Sequence, residues 1–368
     1  MKTSELEKPI LEKIEDNTFN EDDFEQLPPN DIVAYNESRS GSEILRLHSN
    51  KDLDIQPEFQ RDFIWDLSDQ TRFIDSLIKQ LPIPSLCFSY DYITEKWQVI
   101  DGLQRISTII KFLTDDEWKL SNLKDINKDL SGHYVKDIKT SSDLIKYYKR
   151  VENTTLPITV LRCDYSKPSH QKYLFKIFHR LNTGGKKLNN QEIRNCIYSG
   201  KLNNLLRELD KNNNWMELNE IKQDKTNRFI TQEMILRFFV FYDNLDNYNG
   251  RLTNFLNTYM GEHKNPDDNF LEQKKILFTN TIDIVYKKIF KDKSEKKLSK
   301  TLLEALLHGV VKNIDFLEKM TPDDLYKKYL LFREHEVFSL ENLSSWITDK
   351  DKVQERLKAA EKIFSDEI

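Results

Sequence analysis

The stretch Val99-Ile100-Asp101-Gly102-Leu103-Gln104-Arg105 runs an apolar strand into an Asp-Gly and then directly into an amphipathic helix. After Gly102 the apolar residues Ile106, Ile109, Ile110 and Leu113 recur at helical spacing, so one face of that helix is buried and its first turn stands at the end of the strand. First-turn N–H groups have no intrahelical acceptors and carry the positive end of the macrodipole, so such a junction is an anion cradle. Gln104 and Arg105 add side-chain donors, Arg105 in a geometry that pairs bidentately with a phosphate, and Asp101 is placed to hold a metal ion or orient a water. An Asp-Gly before a helix also serves as an ordinary turn with a capping carboxylate, so the junction alone leaves both readings open.

Working outward, Ile55-Gln56-Pro57-Glu58-Phe59-Gln60-Arg61-Asp62-Phe63-Ile64-Trp65 carries a Gln60-Arg61 pair bracketed by aromatic residues. Arg61 there either stacks on the rings beside an internal carboxylate or reaches an external anion. Ser68 to Leu81 reads as a helix capped by Ser68, with Phe73, Ile74, Leu77, Ile78 and Leu81 as its buried stripe, and Pro82 and Pro84 end it. Ser85 to Tyr90 and Glu95 to Asp101 then read as a hairpin that delivers Asp101. A third cluster, Phe178-His179-Arg180-Leu181-Asn182-Thr183-Gly184-Gly185-Lys186, follows a helix from about Pro168 and precedes another near Asn189. Asn182, Thr183, Gly184, Gly185 and Lys186 are able to wrap a phosphate with backbone amides, although they lack P-loop spacing and a glycine helix stop uses the same residues.

Together the three clusters resemble the N-terminal domain family of GmrSD-type restriction endonucleases, also called domain of unknown function 262. The residues that carry the likeness are Gln60-Arg61-Asp62-Phe63-Ile64-Trp65, Leu81-Pro82-Ile83-Pro84, Asp101-Gly102-Leu103-Gln104-Arg105, Phe178 to Gly185 and Gln191-Glu192-Ile193-Arg194. The resemblance implies a fold similar to ParB and sulfiredoxin and a role for the Asp-Gly-Gln-Gln-Arg motif in nucleotide binding and hydrolysis in defence against phage. By the same resemblance Asp101, Gly102, Gln104 and Arg105 form the nucleotide motif, with Gln60 and Arg61 facing it. Two positions depart from the family pattern: Leu103 stands in place of the motif's first Gln, and His179 where an acidic residue is common. Arg228, Glu233 and Arg237 also fall in a segment similar to the family, although Glu233 and Arg237 stand four apart, as in a plain intrahelical ion pair.

The 368 residues suffice for two cores, are 32% charged, and contain no apolar run of membrane-spanning length and no secretory signal after Met1. Cys87, Cys163 and Cys196 are widely separated, which argues against a zinc site or a disulfide framework and fits a reducing cytoplasm. Residues 1–50 hold five Lys/Arg against twelve Asp/Glu, a net of −7, which leaves 51 against 49, or +2, for the rest of a chain whose total is −5. The acidic excess is terminal, so the sum does not exclude a nucleic-acid partner. Lys146-Tyr147-Tyr148-Lys149-Arg150 and Tyr286-Lys287-Lys288 interleave cations with aromatics in a pattern able to meet phosphates.

The expected class is α+β: an acidic arm over 1–31, a ParB/sulfiredoxin-like α/β domain over 32–200 ending its strands at Leu156 to Cys163, and a mainly helical domain over 201–368. Asn212-Asn213-Asn214 and Asp243 to Gly250 read as loops. The C-terminal half has no His-x-x-Pro nuclease element, and the chain has no Walker A or His-Glu-x-x-His motif. The expected function is therefore a cytoplasmic module that binds and hydrolyses a nucleoside triphosphate with magnesium at Asp101 and gates DNA sensing or a partner effector or nuclease, with a second copy of the chain as a further partner. The alternatives are a non-enzymatic ParB-like switch and a phosphotransferase.

Overall fold

A computed structural model describes residues 29–55, 65–181, 189–219, 229–290, 298–343 and 347–366. The chain divides into two compact units, one over Gln26–Leu188 and one that begins at Asn189. The class is α+β, with a mixed sheet in the first unit and helices in the second.

In the first unit, strand β1 (Val33–Ser40) leads into helix α1 (Gly41–Ser49), then β2 (Leu53–Asp54), α2 (Leu67–Ile78), β3 (Leu86–Asp91), β4 (Lys96–Asp101) and α3 (Leu103–Thr114). Short helices α4 (Val135–Thr140) and α5 (Ile145–Asn153), strand β5 (Thr155–Cys163) and helix α6 (Pro168–Leu181) complete it. The strand order is β1-β5-β3-β4-β2; β3 pairs antiparallel with β4 and parallel with β5, and β1 is antiparallel to β5. Phe88, Val99, Ile158 and Val160 on the sheet share one apolar cluster with Ile44 of α1, Ile74 and Leu77 of α2, Ile106 and Ile109 of α3 and Val151 of α5. Each such side chain taken fully out of water stabilises the unit by about 1.5–3 kcal/mol before entropy is counted.

The expected helix over 68–81 is shorter at its end and capped differently. Asp66 rather than Ser68 accepts the first-turn N–H, from Asp69, and the helix stops at Ile78 with Gln80 at φ +55°. Leu81 therefore leaves the buried stripe and is half exposed. The hairpin and the last strand lie where their β-branched and aromatic runs put them.

In the second unit Asn189 caps helix α7 (Asn190–Ile197) in a reciprocal box with Glu192. Then follow α8 (Lys201–Leu209), α9 (Asn213–Leu218), α10 (Ile230–Asn244), α11 (Leu252–Glu262), α12 (Asp268–Ile284), α13 (Lys300–Lys312), α14 (Pro322–Glu334) and α15 (Lys350–Phe364). The triple asparagine is not a loop: Asn212 caps α9 by accepting from Trp215, whose side chain is fully buried, so tertiary burial overrides the turn signal. Asp243 to Gly250 likewise begins inside α10 and passes through a short 3-10 turn at Leu245–Asn247. Gly309 lets α13 and α15 touch, since a Cβ there would lie 2.7 Å from the Ala360 carbonyl.

Candidate nucleotide site

The hairpin brings Asp101 to the end of β4, and a β-bulge between Cys87 and Phe88 decides where it points. Phe88 faces Val99 while Cys87 faces Asp101, so one extra residue on β4 turns the carboxylate onto the sheet face that carries Cys87 instead of the helix-packed face. Thr159 lies beside Cys87, and Asn36 beside Thr159, so Asn36, Thr159, Cys87 and Asp101 form one row across four strands. Thr159 donates to Asn36 Oδ1 at 3.0 Å, and Ser85 Oγ stands 3.4 Å from the Thr159 hydroxyl. The other half of this face is packed by α6, with Tyr165 bonded to both Gln98 and Ser89.

Gly102 follows Asp101 at φ +94° and ψ +16°, as N-cap of α3, and among the described residues no side chain caps that helix. A Cβ at Gly102 would meet Leu86 Cδ2 at 2.2 Å and the Arg105 guanidinium at 3.2 Å, so backbone angle, strand packing and the arginine all require glycine. The bare first turn of α3 thus opens beside the Asp101 carboxylate.

Arg105 is committed inward. Its Nη2 donates to Asp101 Oδ2 at 2.9 Å and its Nη1 to the Pro84 carbonyl, leaving the side chain 15% exposed against 40% for Asp101. Burial lowers the guanidinium pKa and the Asp101 charge opposes that shift. The Pro-x-Pro segment therefore has a definite task, which is to present a carbonyl to Arg105. Cys87 is no nucleophile: burial, helped by the Asp101 charge, pushes its thiol up to about 12. All three cysteines are buried thiols outside any disulfide.

Gln104 Oε1 accepts a long 3.5 Å bond from the Trp65 amide, and Leu103 packs against the apolar cluster instead of offering an amide. Gln60, Arg61, Asn182, Thr183, Gly184, Gly185 and Lys186 lie outside the described residues. His179 is partly buried on α6. Among the described residues no three His, Cys, Asp or Glu side chains gather as a metal cage.

Arg194 is enclosed elsewhere, in the second unit. It is 1% exposed and donates to Asn257, Gln191 and Glu233, while Arg237 closes on Glu233 at 2.8 Å across one helical turn. The plain ion pair between Glu233 and Arg237 is present, inside a larger network that also reaches Glu304. Gln191 and Arg194 are thus turned inward to tie α7 to α10 and α11.

Residues 42–199 match the family model described as GmrSD restriction endonuclease, N-terminal domain. That stretch, less than half of the chain, is similar to this family's domain. No curated protein and no solved structure matches the chain. The GmrSD-type match begins in α1, includes the Asp101 corner, and continues past Leu188 through α7. Sequence reading missed Thr159 and Asn36 beside that corner, and read Pro84 and Ser85 only as a helix stop and a strand start, because their relation to Asp101 depends on contacts between segments distant in the chain. Among the described residues no helix of the GmrSD-type domain or of the rest of the chain is long and apolar enough to cross a membrane.

Proposed function

We propose that this chain is a nucleotide-binding, NTP-hydrolysing module of a restriction-type anti-phage defence system, gating DNA sensing or a partner effector. The family supplies the restriction context. The observation that carries the nucleotide reading is the uncapped first turn of α3 after Gly102, adjoined by a half-exposed Asp101 that Arg105 holds by one oxygen only. The free amides there suit a phosphate. Asp101 retains an oxygen for a magnesium ion shared with phosphates, a mode that needs one or two protein carboxylates instead of a closed cage, which fits the residues present. A magnesium ion held there would supply charge neutralisation to the phosphates.

In this reading Arg105 is a positioning residue first. It fixes the Asp101 carboxylate and spans Asp101 and Pro84, and its remaining N–H groups are proposed as donors to a phosphate. Gln60, Arg61 and the segment from Asn182 to Lys186 are proposed as further phosphate contacts, and Asp101 as the group that orients the attacking water.

The test is thermal stabilisation of the purified chain by ATP, GTP, CTP and UTP with magnesium, in parallel with phosphate release, with and without DNA. One nucleotide is expected to raise the melting temperature and release phosphate, and Asp101→Ala to keep binding while losing turnover. Absence of any shift with all four nucleotides overturns the nucleotide reading, and turnover in Asp101→Ala removes Asp101 from the chemistry. Binding without phosphate release gives instead the ParB-like switch; label passing from the γ-phosphate to an acceptor other than water gives the phosphotransferase.

A further inference from the structure

A second concavity in the first unit has a composition of its own. It has a volume of about 780 Å3, and its walls come from the end of α2, the strap that follows it, one face of α5 along its length and the start of β5. One wall is apolar, with Leu77, Leu81, Pro82 and Ile83, and the other carries Lys146, Lys149 and Arg150. Among the described residues no acidic side chain lines it.

The three cations stand at i, i+3 and i+4 on α5, so they share one helix face. Lys146 lies 5.0 Å from the Tyr147 ring, and Arg150 donates to the Ile78 carbonyl at 3.2 Å, offsetting the negative end of α2. None of the three is in an ion pair with a carboxylate among the described residues, whereas Lys79, Lys136 and Lys139 nearby are so paired. A row of unneutralised cations opposite a half-exposed leucine and a proline strap has the two-sided character of a site for a ligand with an anionic end and a flat apolar body. The volume matches a nucleotide-sized ligand.

We infer that this groove binds a phosphorylated, nucleotide-sized unit, with phosphate against Lys146, Lys149 and Arg150 and the base against Leu81, Pro82 and Ile83. Free nucleotides and nucleic-acid strands share that chemistry. The site is separate from the Asp101 corner, although Pro84, next along the strap, is the residue whose carbonyl holds Arg105. It does not depend on hydrolysis at that corner.

The experiment is calorimetric titration of the full chain with AMP, ATP, a short oligothymidylate and inorganic phosphate, at two salt concentrations. Lys146→Ala/Lys149→Ala is expected to weaken the nucleotide probes about tenfold or more, because each ammonium makes a charged contact, while melting is unchanged since both side chains are exposed. Ile83→Ser is expected to weaken nucleotides but not inorganic phosphate, and Arg105→Ala to leave this binding in place. Binding of AMP assigns the site to free nucleotides, and binding of the oligonucleotide alone assigns it to a strand. The inference is overturned if no probe binds, if the double lysine variant binds as the wild type does, or if inorganic phosphate and AMP bind equally with no effect of Ile83→Ser. Loss of all binding in Arg105→Ala overturns the second site and supports the Asp101 corner alone, so the two readings fail separately.

Discussion

Arg105 and Arg194 each pair with a carboxylate, at 2.9 and 2.8 Å, and each stands in a stretch of sequence marked by polar residues at close spacing, yet they do opposite work. Arg194 is enclosed: amide and carboxylate acceptors surround its guanidinium, and 1% of the residue meets solvent. Arg105 stands at an edge, with a carboxylate partner that remains 40% exposed and a bare helix end beside it. The difference teaches that an arginine in a recognisable motif is a structural tie where its acceptors close around it and a candidate ligand site where its partner keeps a free side.

The comparison breaks most forcefully at the enclosed end. Glu233→Gln leaves Arg194 buried with a neutral partner and is expected to cost about 3–5 kcal/mol of stability, read as a shift in the urea midpoint of the helical unit. Burial opposes ionisation of Glu233, but Arg237 and Arg194 outweigh it and hold its pKa down to about 2 from an ordinary 4.5. The folded form therefore binds its proton only at lower pH than the unfolded form, so this contribution is complete above about pH 4.5 and is lost as pH falls toward 2. An acid-unfolding curve with the same midpoint in wild type and Glu233→Gln would show that the network carries no such weight.

Next in size is Gly102→Ala. A left-handed φ costs an L-residue about 1–2 kcal/mol, and the contact 2.2 Å from Leu86 adds overpacking of about 1–3 kcal/mol. The expected loss is about 2–5 kcal/mol in denaturant unfolding, together with loss of nucleotide-dependent phosphate release. Stability equal to that of the wild type would show that the turn relaxes and that the corner is not rigid.

Gly102 also marks what was legible in the chain. A strand ending at Asp-Gly before a 3.6-residue repeat was enough to place β4, the turn and α3, because each is a local pattern. The hairpin to β3 and the strand β5 were legible for the same reason. The bulge that turns Asp101 to its face, the row through Cys87, Thr159 and Asn36, and the Pro84 carbonyl on Arg105 come from register and packing between distant segments, which periodicity does not encode. Arg105 shows the same limit: its charge and helix position were readable, but not that its first acceptors are internal. In the helical unit the asparagine run at 212–214 looked like a turn because capping and turn residues are the same types, and only the burial of Trp215 separates them.

Arg105→Ala is expected to be milder than either change above. It removes two charged hydrogen bonds at a site where Asp101 still reaches water, so the ligand-free protein should lose about 1–2 kcal/mol. Nucleotide-dependent phosphate release should disappear altogether, while nucleotide binding in the Lys146–Arg150 groove persists. A loss as large as that of Glu233→Gln would place Arg105 with Arg194 as a closed structural tie and erase the distinction between the two regions.

The smallest expected effect sharpens the comparison from the other side, because His308 is enclosed as Arg194 is but lacks its partners. It is 3% exposed on α13, neither ring nitrogen has a hydrogen bond among the described residues, and Glu361 stands 3.9 Å away. Burial, with the Lys312 charge adding to it, holds its pKa down to about 3 from 6.5. The unfolded chain therefore takes up a proton at higher pH than the folded one, so stability falls as pH drops from about 6.5 toward 3. His308→Leu removes both the unsatisfied polar group and this proton uptake, and should leave stability at pH 7 unchanged or raised by about 1 kcal/mol. Between pH 6.5 and 4.5, above the range in which Glu233 titrates, the variant should lose less stability than the wild type. Parallel pH curves for the two proteins over that interval would mean that His308 protonates without penalty, and that enclosure in this helical unit is looser than Arg194 makes it look.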